Sequence, residues 1–382
     1  MNQYFIPASF YRGGSSKGLF FHAKDLPAEI ERQDEIFLAA MGSPDPNGRQ
    51  LDGMGGGVSS LSKAVIIGPS THPDADIDYT FAQVAVDKAV VDRGANCGNL
   101  SSAVGPFAIE EGLISATDGI TSVRIHQVNT RKIIHAQVPV RHGKPLVEGE
   151  LAIAGVSGSG ARIRLDFKSP GGSITSGLLP TGNVVDQIVM DNGRKLSISM
   201  IDASNPVAFV AAEDLNLQGL RHPDEIETLP GLMATLDDIR RKAAVLMGLA
   251  NTPGTAGLAN PKIAIASRPN AFVALDSSAF NKNDYDIGIN MLSMERAHKA
   301  ITLTGAMCAG VASLIKGTIP HAMSSSTPNT AEIRVGNPSG VVGVSAKVDQ
   351  VDGWSVDYAS VFRTARCLMK GSVAVPARLA DQ

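Results

Sequence analysis

A cysteine inside a turn rich in glycine and asparagine is the first residue in this sequence that could do chemistry. Cys97 follows the β-rich run Phe81–Val91, and small and apolar residues at helical spacing come directly after it. This pattern predicts a strand, a tight turn and then a buried helix with Cys97 at its N-terminus. The unpaired amides of a first helical turn stabilise a thiolate and bind carboxylates. The alternative is a structural cysteine that packs between the strand and the helix.

A lysine at the start of an apolar strand is the second candidate. Lys63 ends the glycine-rich segment Leu51–Lys63 and precedes Ala64–Gly68, which the pattern predicts as a buried strand. Desolvation at such a position lowers the pKa of an amine, so that Lys63 could act as a base. The alternative is a lysine whose stem covers apolar surface while its ammonium group reaches water.

A third segment combines glycines with hydroxyl groups and cations. Arg12–Gly18 lies between two predicted strands, Tyr4–Phe10 and Leu19–His22. It could bind an anion, but it lacks the spacing of a phosphate-binding P-loop and no helix follows it directly. The alternative is an ordinary β-hairpin turn with solvated charges.

The composition favours a globular protein and excludes several classes of partner. The 382 residues are enough for two domains, and 43% are apolar and 19% charged. A net charge of −3 and an aromatic content of 5% do not favour nucleic acid or an anionic membrane surface as a partner.

The cysteines and the N-terminal segment predict a cytoplasmic protein. Cys97, Cys308 and Cys367 are odd in number and widely spaced, which excludes a disulfide framework and fits a reducing compartment. The N-terminal residues lack the pattern of a signal peptide, and no apolar run approaches the length of a membrane span.

A second helix rich in small residues is predicted in Ala300–Gly317. It is similar to the helix predicted after Cys97, and two such helices suggest two similar halves, although the identity between them is too weak for a sequence repeat. The segment Gly171–Gly182, rich in Gly, Ser and Thr, is the predicted junction. Near the end of the chain, Arg363–Met369 is a short polar-and-apolar piece before the predicted final strand, Ser372–Val375.

Ten short motifs give the chain a resemblance to a known family. In order along the sequence they are RGGSSKG, MGSPDP, LDGMGGGVSSLSK, DYTFAQV, NCGN, GPFAIEEGL, LPTGN, His298–Gly305, GTI and RTARCLMKG. Together they resemble the PrpF family of methylaconitate isomerases and relatives such as methylitaconate delta-isomerase and oxalomesaconate tautomerase. Because the motifs keep the family's order over nearly the whole length, they are far more specific than any one alone.

The resemblance implies a diaminopimelate epimerase-like α/β (α+β) fold with two pseudo-symmetric domains. Each domain is a mostly antiparallel, barrel-like sheet around a central helix, with the site in the cleft between them. The expected first domain is residues 1–182, joined by the C-terminal strand 358–382, and the second is 183–357. The resemblance also implies that no pyridoxal phosphate, metal or nucleotide cofactor is used.

The resemblance further implies which residues carry the chemistry. In the PrpF relatives it is attributed to a lysine and a cysteine, which match Lys63 and Cys97. The epimerases instead use two thiols, one per domain. This chain has Thr304-Gly305-Ala306 at the second position, and Cys308 lies about one turn further along, at about 3.6 residues per turn. That departure argues against a two-thiol mechanism.

An allylic isomerase must stabilise a carbanion, so carboxylate-binding groups are expected around the two candidates. The expected contacts are Ser16, Lys17 and the amides of Gly98, Asn99, Gly305 and Ala306. His298 is either a further carboxylate contact or a structural histidine. Asn205 either lines the cleft or belongs to an ordinary Asn-Pro turn.

The sequence is compatible with three functions. The leading one is an isomerase of a small unsaturated di- or tricarboxylate, with no nucleic-acid or membrane partner and with a homodimer as the expected assembly. The second is an amino-acid racemase or epimerase, which needs a second thiol, so that the position of Cys308 decides it. The third is a non-catalytic protein that binds an aconitase-like partner.

Overall fold

A computed structural model describes residues 2–94, 96–153, 155–191, 193–258, 260–293, 296–325, 332–351 and 353–379. The chain forms two compact units: residues 1–166 with 362–382, and residues 167–361. The domain boundaries after residues 182 and 357 stay predictions. No helix within the described ranges has both the length and the apolar composition of a membrane span.

The regular elements are numbered here in chain order. The strands are β1 (Gln3–Gly13), β2 (Ser16–His22), β3 (Lys63–Pro69), β4 (Ile77–Val84), β5 (Val91–Asp92), β6 (Gly119–Gln127), β7 (Lys132–Arg141), β8 (Lys144–Pro145), β9 (Leu151–Ile153), β10 (Val156–Gly160), β11 (Ile163–Lys168), β12 (Asp186–Val189), β13 (Lys195–Asp202), β14 (Pro206–Ala211), β15 (Lys262–Ser267), β16 (Phe272–Val273), β17 (Ala279–Phe280), β18 (Ile287–Ser293), β19 (Arg296–Ala297), β20 (Ile333–Asn337), β21 (Gly340–Gln350), β22 (Trp354–Arg363) and β23 (Ala365–Pro376). The helices are α1 (Ile30–Met41), α2 (Gly98–Glu110), α3 (Pro223–Thr228), α4 (Leu232–Leu246), α5 (Leu303–Leu314) and α6 (Ile319–Met323).

The sheet of the first unit is mostly antiparallel. Strand β1 pairs antiparallel with β2 and with β23, and β2 pairs parallel with β3. Strand β3 is antiparallel to β4, β4 is parallel to β6, and β6 is antiparallel to β7. A parallel pair of strands needs a crossover connection. The crossover from β2 to β3 contains α1, and the crossover from β4 to β6 contains α2.

The two faces of this sheet carry different helices. On one face Phe21 and Ile66 pack in a buried cluster with Phe37 of α1. On the other face the ring of Phe20 lies 5.6 Å from that of Phe107 in α2, measured between centroids. Since successive strand residues point to opposite faces, the sequence alternation decides which helix each side chain meets.

The sheet of the second unit repeats the same order of pairings. Strands β13 and β14 are antiparallel, β14 and β15 parallel, β15 and β18 antiparallel, β18 and β20 parallel, and β20 and β21 antiparallel. Helix α4 lies between β14 and β15 in the chain, as α1 lies between β2 and β3, and α5 lies between β18 and β20, as α2 lies between β4 and β6. The two units therefore share one topology.

Two predicted segments differ from the structure. The final strand is longer than the predicted Ser372–Val375: β23 begins at Ala365 and pairs with β1 as far as Pro376. The run Phe81–Val91 is not one strand, because β4 ends at Val84 and β5 begins only at Val91. Pairing with the distant strand β1, which local propensity does not report, decides the first segment. In the second segment residues 85–90 turn the chain, so that β5 pairs antiparallel with β4.

Candidate active site

Cys97 is the residue that immediately precedes helix α2. Its backbone angles are extended, at φ −100° and ψ 93°, and its side chain does not cap the helix. The carbonyl of Cys97 accepts hydrogen bonds from the amide of Ser101 at 3.0 Å and from the hydroxyl of Tyr79 at 3.4 Å. The half-buried thiol lies 4.0 Å from the hydroxyl of Ser16. The helix therefore fixes the cysteine backbone and leaves the sulfur beside a hydroxyl group.

The first turn of α2 offers unused hydrogen-bond donors beside this thiol. The amides of Gly98, Asn99 and Leu100 have no acceptor among the residues that the structure describes. The first amides of a helix carry a partial positive charge and bind carboxylates. The amides of Gly98 and Asn99 thus lie where the sequence predicts an anion-binding site.

The β1–β2 hairpin packs against this helical turn through glycines. A Cβ built on Gly13 would lie 2.6 Å from the carbonyl oxygen of Asn99, and one on Gly18 would lie 2.7 Å from that of Lys63. Gly14 has φ +50°, which the two-residue turn requires. Only glycines at these positions let the hairpin bring Ser16 against Cys97.

Lys63 is the first residue of β3 and is held by a glutamine on the neighbouring strand. Its Nζ donates to Oε1 of Gln83, its partner in register, and lies 5.0 Å from the centroid of the Phe81 ring. Nε2 of Gln83 donates to the carbonyls of Ser59 and Ser62 at 3.0 and 2.9 Å. The lysine is only 7% exposed. No carboxylate within the described ranges forms an ion pair with it.

Lys63 and Cys97 lie on the same face of the sheet. Tyr79, Phe81 and Gln83 alternate along β4 and therefore share one face. Gln83 and Phe81 contact the amine of Lys63, whereas Tyr79 contacts the backbone of Cys97. The structure thus brings the amine, the thiol and Ser16 to the face that α2 covers.

Lys17 is not part of this group, although the sequence suggested it. The Nζ of Lys17 lies 5.6 Å from the centroid of the Phe10 ring, and Phe10 belongs to the cluster on the α1 side. Lys17 and Ser16 are neighbours on β2, so their side chains point to opposite faces. The expected carboxylate contact of Lys17 is therefore not supported.

The N-terminus of α5 in the second unit is already capped. The amide of Gly305 donates to the hydroxyl of Thr302 at 3.1 Å, and the amide of Ala306 donates to the carbonyl of Thr302 at 2.8 Å. The helix begins at Leu303, directly after Thr302. The expected carboxylate contacts through Gly305 and Ala306 are therefore not supported, because both amides are used within the helix.

His298 and Asn205 lie at one end of the second unit's sheet. The amide of His298 donates to the carbonyl of Met291 on β18 at 2.8 Å, and the side chain of Asn205 donates to the carbonyl of Pro206 at 3.1 Å. Burial lowers the pKa of His298, and the positive charge of Lys262 lowers it further. Their expected roles toward a carboxylate stay predictions.

Lys262 is a second lysine that sequence reasoning did not single out. It is the first residue of β15, which has the same place in the second unit's order of pairings as β3 has in the first. Burial lowers its pKa. The sequence does contain the pattern that would have identified it, because Lys262, like Lys63, stands at the start of an apolar run.

Cys308 is buried within α5 and cannot serve as a second active thiol. Its side chain is fully buried and donates to the carbonyl of Ile201 at 3.4 Å. Burial raises the pKa of this thiol, which keeps it protonated. The two-thiol racemase mechanism therefore lacks its second sulfur at this position.

Arg363 is a further residue that sequence reasoning missed. It ends β22 and is 8% exposed, and its Nε donates to Oδ1 of Asn99 in the first turn of α2 at 3.2 Å. Its Nη1 donates to the carbonyl of Phe362 at 2.8 Å. Burial lowers its pKa to about 10, so the guanidinium stays charged at neutral pH. The only signal was its place in the RTARCLMKG motif.

Side chains that could bind a metal ion do not cluster in the part of the chain that the structure describes. No three His, Cys, Asp or Glu side chains lie together there, as a metal site requires.

Known proteins match the chain over nearly its whole length. The model of the PrpF protein family matches residues 3–376. The 2-methyl-aconitate isomerase of Cupriavidus necator is 39% identical over 385 residues, which cover 97% of each chain. The crystal structure of methylitaconate-delta-isomerase matches with a TM-score of 0.92 at 41% identity, and the match covers 100% of this chain and 98% of the other.

A more distant likeness concerns the fold alone. A hydroxyproline epimerase from Agrobacterium vitis matches with a TM-score of 0.54 at 14% identity, over 99% of this chain and 93% of the other. The predicted epimerase-like α+β fold is therefore confirmed, and the named relatives confirm the predicted isomerase class. With its family model matched from residue 3 to residue 376, the chain belongs to the PrpF protein family.

Proposed function

We propose that this isomerase moves a proton and a double bond in a small unsaturated di- or tricarboxylate, with Lys63 and Cys97 as the proton-transfer groups. The substrate class follows the relatives, which are named for 2-methyl-aconitate and methylitaconate. One observation carries the assignment of residues: the amine of Lys63 and the thiol of Cys97 lie on the same α2-covered face of one sheet. An amine and a thiol together can remove and return a proton without a cofactor.

The reaction is balanced by one proton removed and one proton returned. One of the two groups takes a proton from the carbon beside a C=C–carboxylate unit. The freed electron pair forms the new double bond, and the old π pair moves to the far carbon, which receives a proton from the other group. Between the two steps the negative charge spreads into the carboxylate, where the amides of Gly98 and Asn99 stabilise it.

The surroundings of Lys63 favour a chemical role over a structural one. A structural lysine at a buried position is ordinarily paired with a carboxylate. Here the partner is the neutral amide oxygen of Gln83, whose own NH2 group is fixed by two backbone carbonyls. The amine is thus oriented without being neutralised.

The other two functions are less well supported. An amino-acid racemase on this fold would need an accessible thiol near the N-terminus of α5. Cys308 of α5 is fully buried, and its thiol donates to the carbonyl of Ile201. A binding protein without activity would not require an amine and a thiol on one covered face. The isomerase therefore remains the function that the geometry supports best.

Deuterium exchange tests the proposal directly. The protein is incubated in deuterated water with aconitate, itaconate, oxalomesaconate and their methyl analogues, and exchange is followed by NMR. Lys63→Met and Cys97→Ser should each slow exchange by about 100- to 10,000-fold, the usual contribution of a proton-transfer group. Cys308→Ala is the matched thiol control and should retain exchange.

Each outcome of that experiment has a definite meaning. Near-wild-type exchange in Lys63→Met would remove the lysine from the mechanism. Equal loss in Cys97→Ser and Cys308→Ala would show that the thiol effect is structural. No exchange by the wild-type protein with any of these acids would favour a binding protein.

We also infer a homodimer that works in the cytoplasm. Cys97, Cys308 and Cys367 are all free thiols, which suits a reducing compartment. Two-fold dimers are the commonest assemblies of soluble proteins. Light scattering of the purified protein measures the assembly, and a monomeric mass would contradict the dimer.

A further inference from the structure

The side chain of Arg363 is a buried cation without a carboxylate partner. Within the described ranges no Asp or Glu forms an ion pair with it. Its guanidinium has five N–H donors. Nε and Nη1 are used by Asn99 and Phe362, whereas Nη2 has no acceptor among the described residues. Because a buried, unpaired charge is costly, a cation held in this way is expected where an anion binds.

The surroundings of Arg363 place this cation beside the candidate active site. Asn99 belongs to the first turn of α2, two residues after Cys97. The side chain of Asn99 receives Nε of Arg363 and donates to the hydroxyl of Ser15 at 3.1 Å. A Cβ built on Gly14 would lie 3.2 Å from Cδ of Arg363. The hairpin turn and Asn99 thus hold the guanidinium against the end of the helix that presents free amides.

We propose that Arg363, with the first amides of α2, binds one carboxylate of the substrate. The inference rests on the proposed function and deepens it by naming the cation that binds a substrate carboxylate beside these amides. A guanidinium offers parallel donors that match the two oxygens of a carboxylate, which a lysine does not. Cys97 lies at the same helix end, so the bound carboxylate is held close to the thiol.

Arg363→Gln and Arg363→Lys test this inference, with Arg366→Gln as the matched control. Arg366 is an exposed arginine on β23, paired with Arg12, so its loss changes the net charge equally. Binding of tricarballylate, a saturated tricarboxylate, is measured by calorimetry, and kcat and KM are measured by deuterium exchange. In Arg363→Gln, Kd and KM should rise by about 10- to 100-fold, as expected for lost hydrogen bonds to a charged group. Arg363→Lys should be intermediate, and Arg366→Gln should stay within about twofold.

The possible results separate this inference from the proposed function. An unchanged Kd in Arg363→Gln, or an equal rise in Arg366→Gln, would overturn the role of Arg363. The role of Arg363 would also be overturned if the wild-type protein did not bind tricarballylate. If the wild type binds it but exchanges no substrate, the proposed function fails and the calorimetric comparison still decides the arginine. If Arg363→Gln does not fold, Arg363→Lys keeps the charge, and a wild-type Kd in that variant would refute the bidentate contact.

Discussion

Replacing Gly13 with alanine should separate the β1–β2 hairpin from the first turn of α2. Gly13 does not have a left-handed backbone, so alanine meets no conformational strain there. Its added Cβ would lie 2.6 Å from the carbonyl oxygen of Asn99 and 3.0 Å from Cα of Leu100, both backbone atoms. Ordinary contact begins at 3.4 Å, so the helix and the hairpin must move apart by about 0.8 Å, the difference between 3.4 and 2.6 Å.

This displacement affects both stability and activity. Overpacking of this kind costs about 1–3 kcal/mol, which lowers the melting temperature by about 2–12 °C for a unit of this size. The hairpin carries Ser16, whose hydroxyl lies 4.0 Å from the thiol of Cys97. Misplacement of reacting groups by about 1 Å reduces rates by about 100-fold, so we expect kcat/KM to fall by about 10- to 100-fold.

Gly371→Ala is the matched control for this experiment. Gly371 lies on β23, opposite Ala8 of β1, and a Cβ built there meets nothing within 4 Å. Thermal unfolding and deuterium exchange are measured for both variants. If Gly13→Ala melts and exchanges like Gly371→Ala, the close approach of hairpin and helix does not position the site, and the reasoning is refuted.

Two further predictions concern the second unit. Cys308→Ala should keep kcat/KM within about twofold and cost about 1 kcal/mol of unfolding free energy, since the buried thiol only packs. A large loss of exchange together with wild-type stability would contradict this packing role and restore a two-thiol mechanism. His298→Gln should flatten the acid dependence of stability. The pKa of His298 is lowered from 6.5, chiefly by burial and then by Lys262, so the unfolded chain takes up this proton first. The stability linked to His298 is therefore complete above pH 6.5 and is lost as the pH falls through that value toward the folded-state pKa. Urea unfolding at several pH values measures this, with exposed His321→Gln as the control; equal slopes in wild type and His298→Gln would contradict it.

Local sequence rules located much of the first unit. Helix α1 (Ile30–Met41) ends at Gly42 in a left-handed conformation, as a glycine that follows a helical stretch predicts. The turn and helix after the β-rich run place Cys97 immediately before α2. Both follow from residue spacing and backbone preference, which act over a few neighbouring residues.

Contacts between distant residues were not readable in this way. Whether Lys17 or Ser16 faces α2 depends on the register of β2 in the sheet, and a shift of one residue would exchange the two side chains. The contact of Arg363 with Asn99 joins residues 264 positions apart. At α5 the sequence offers Thr302 and Thr304, and only the structure shows that Thr302 is the cap.

The pairing of β1 with β23 determines when the sheet of the first unit can be completed during translation. Strand β1 leaves the ribosome early, but its neighbour is made more than 350 residues later, since Gly13 pairs with Ala365. Every strand of the second unit's sheet is synthesised before β23 exists. The first unit, although translated first, is thus the last to complete its sheet, and nascent chains must keep an unpaired strand edge from aggregating throughout that interval.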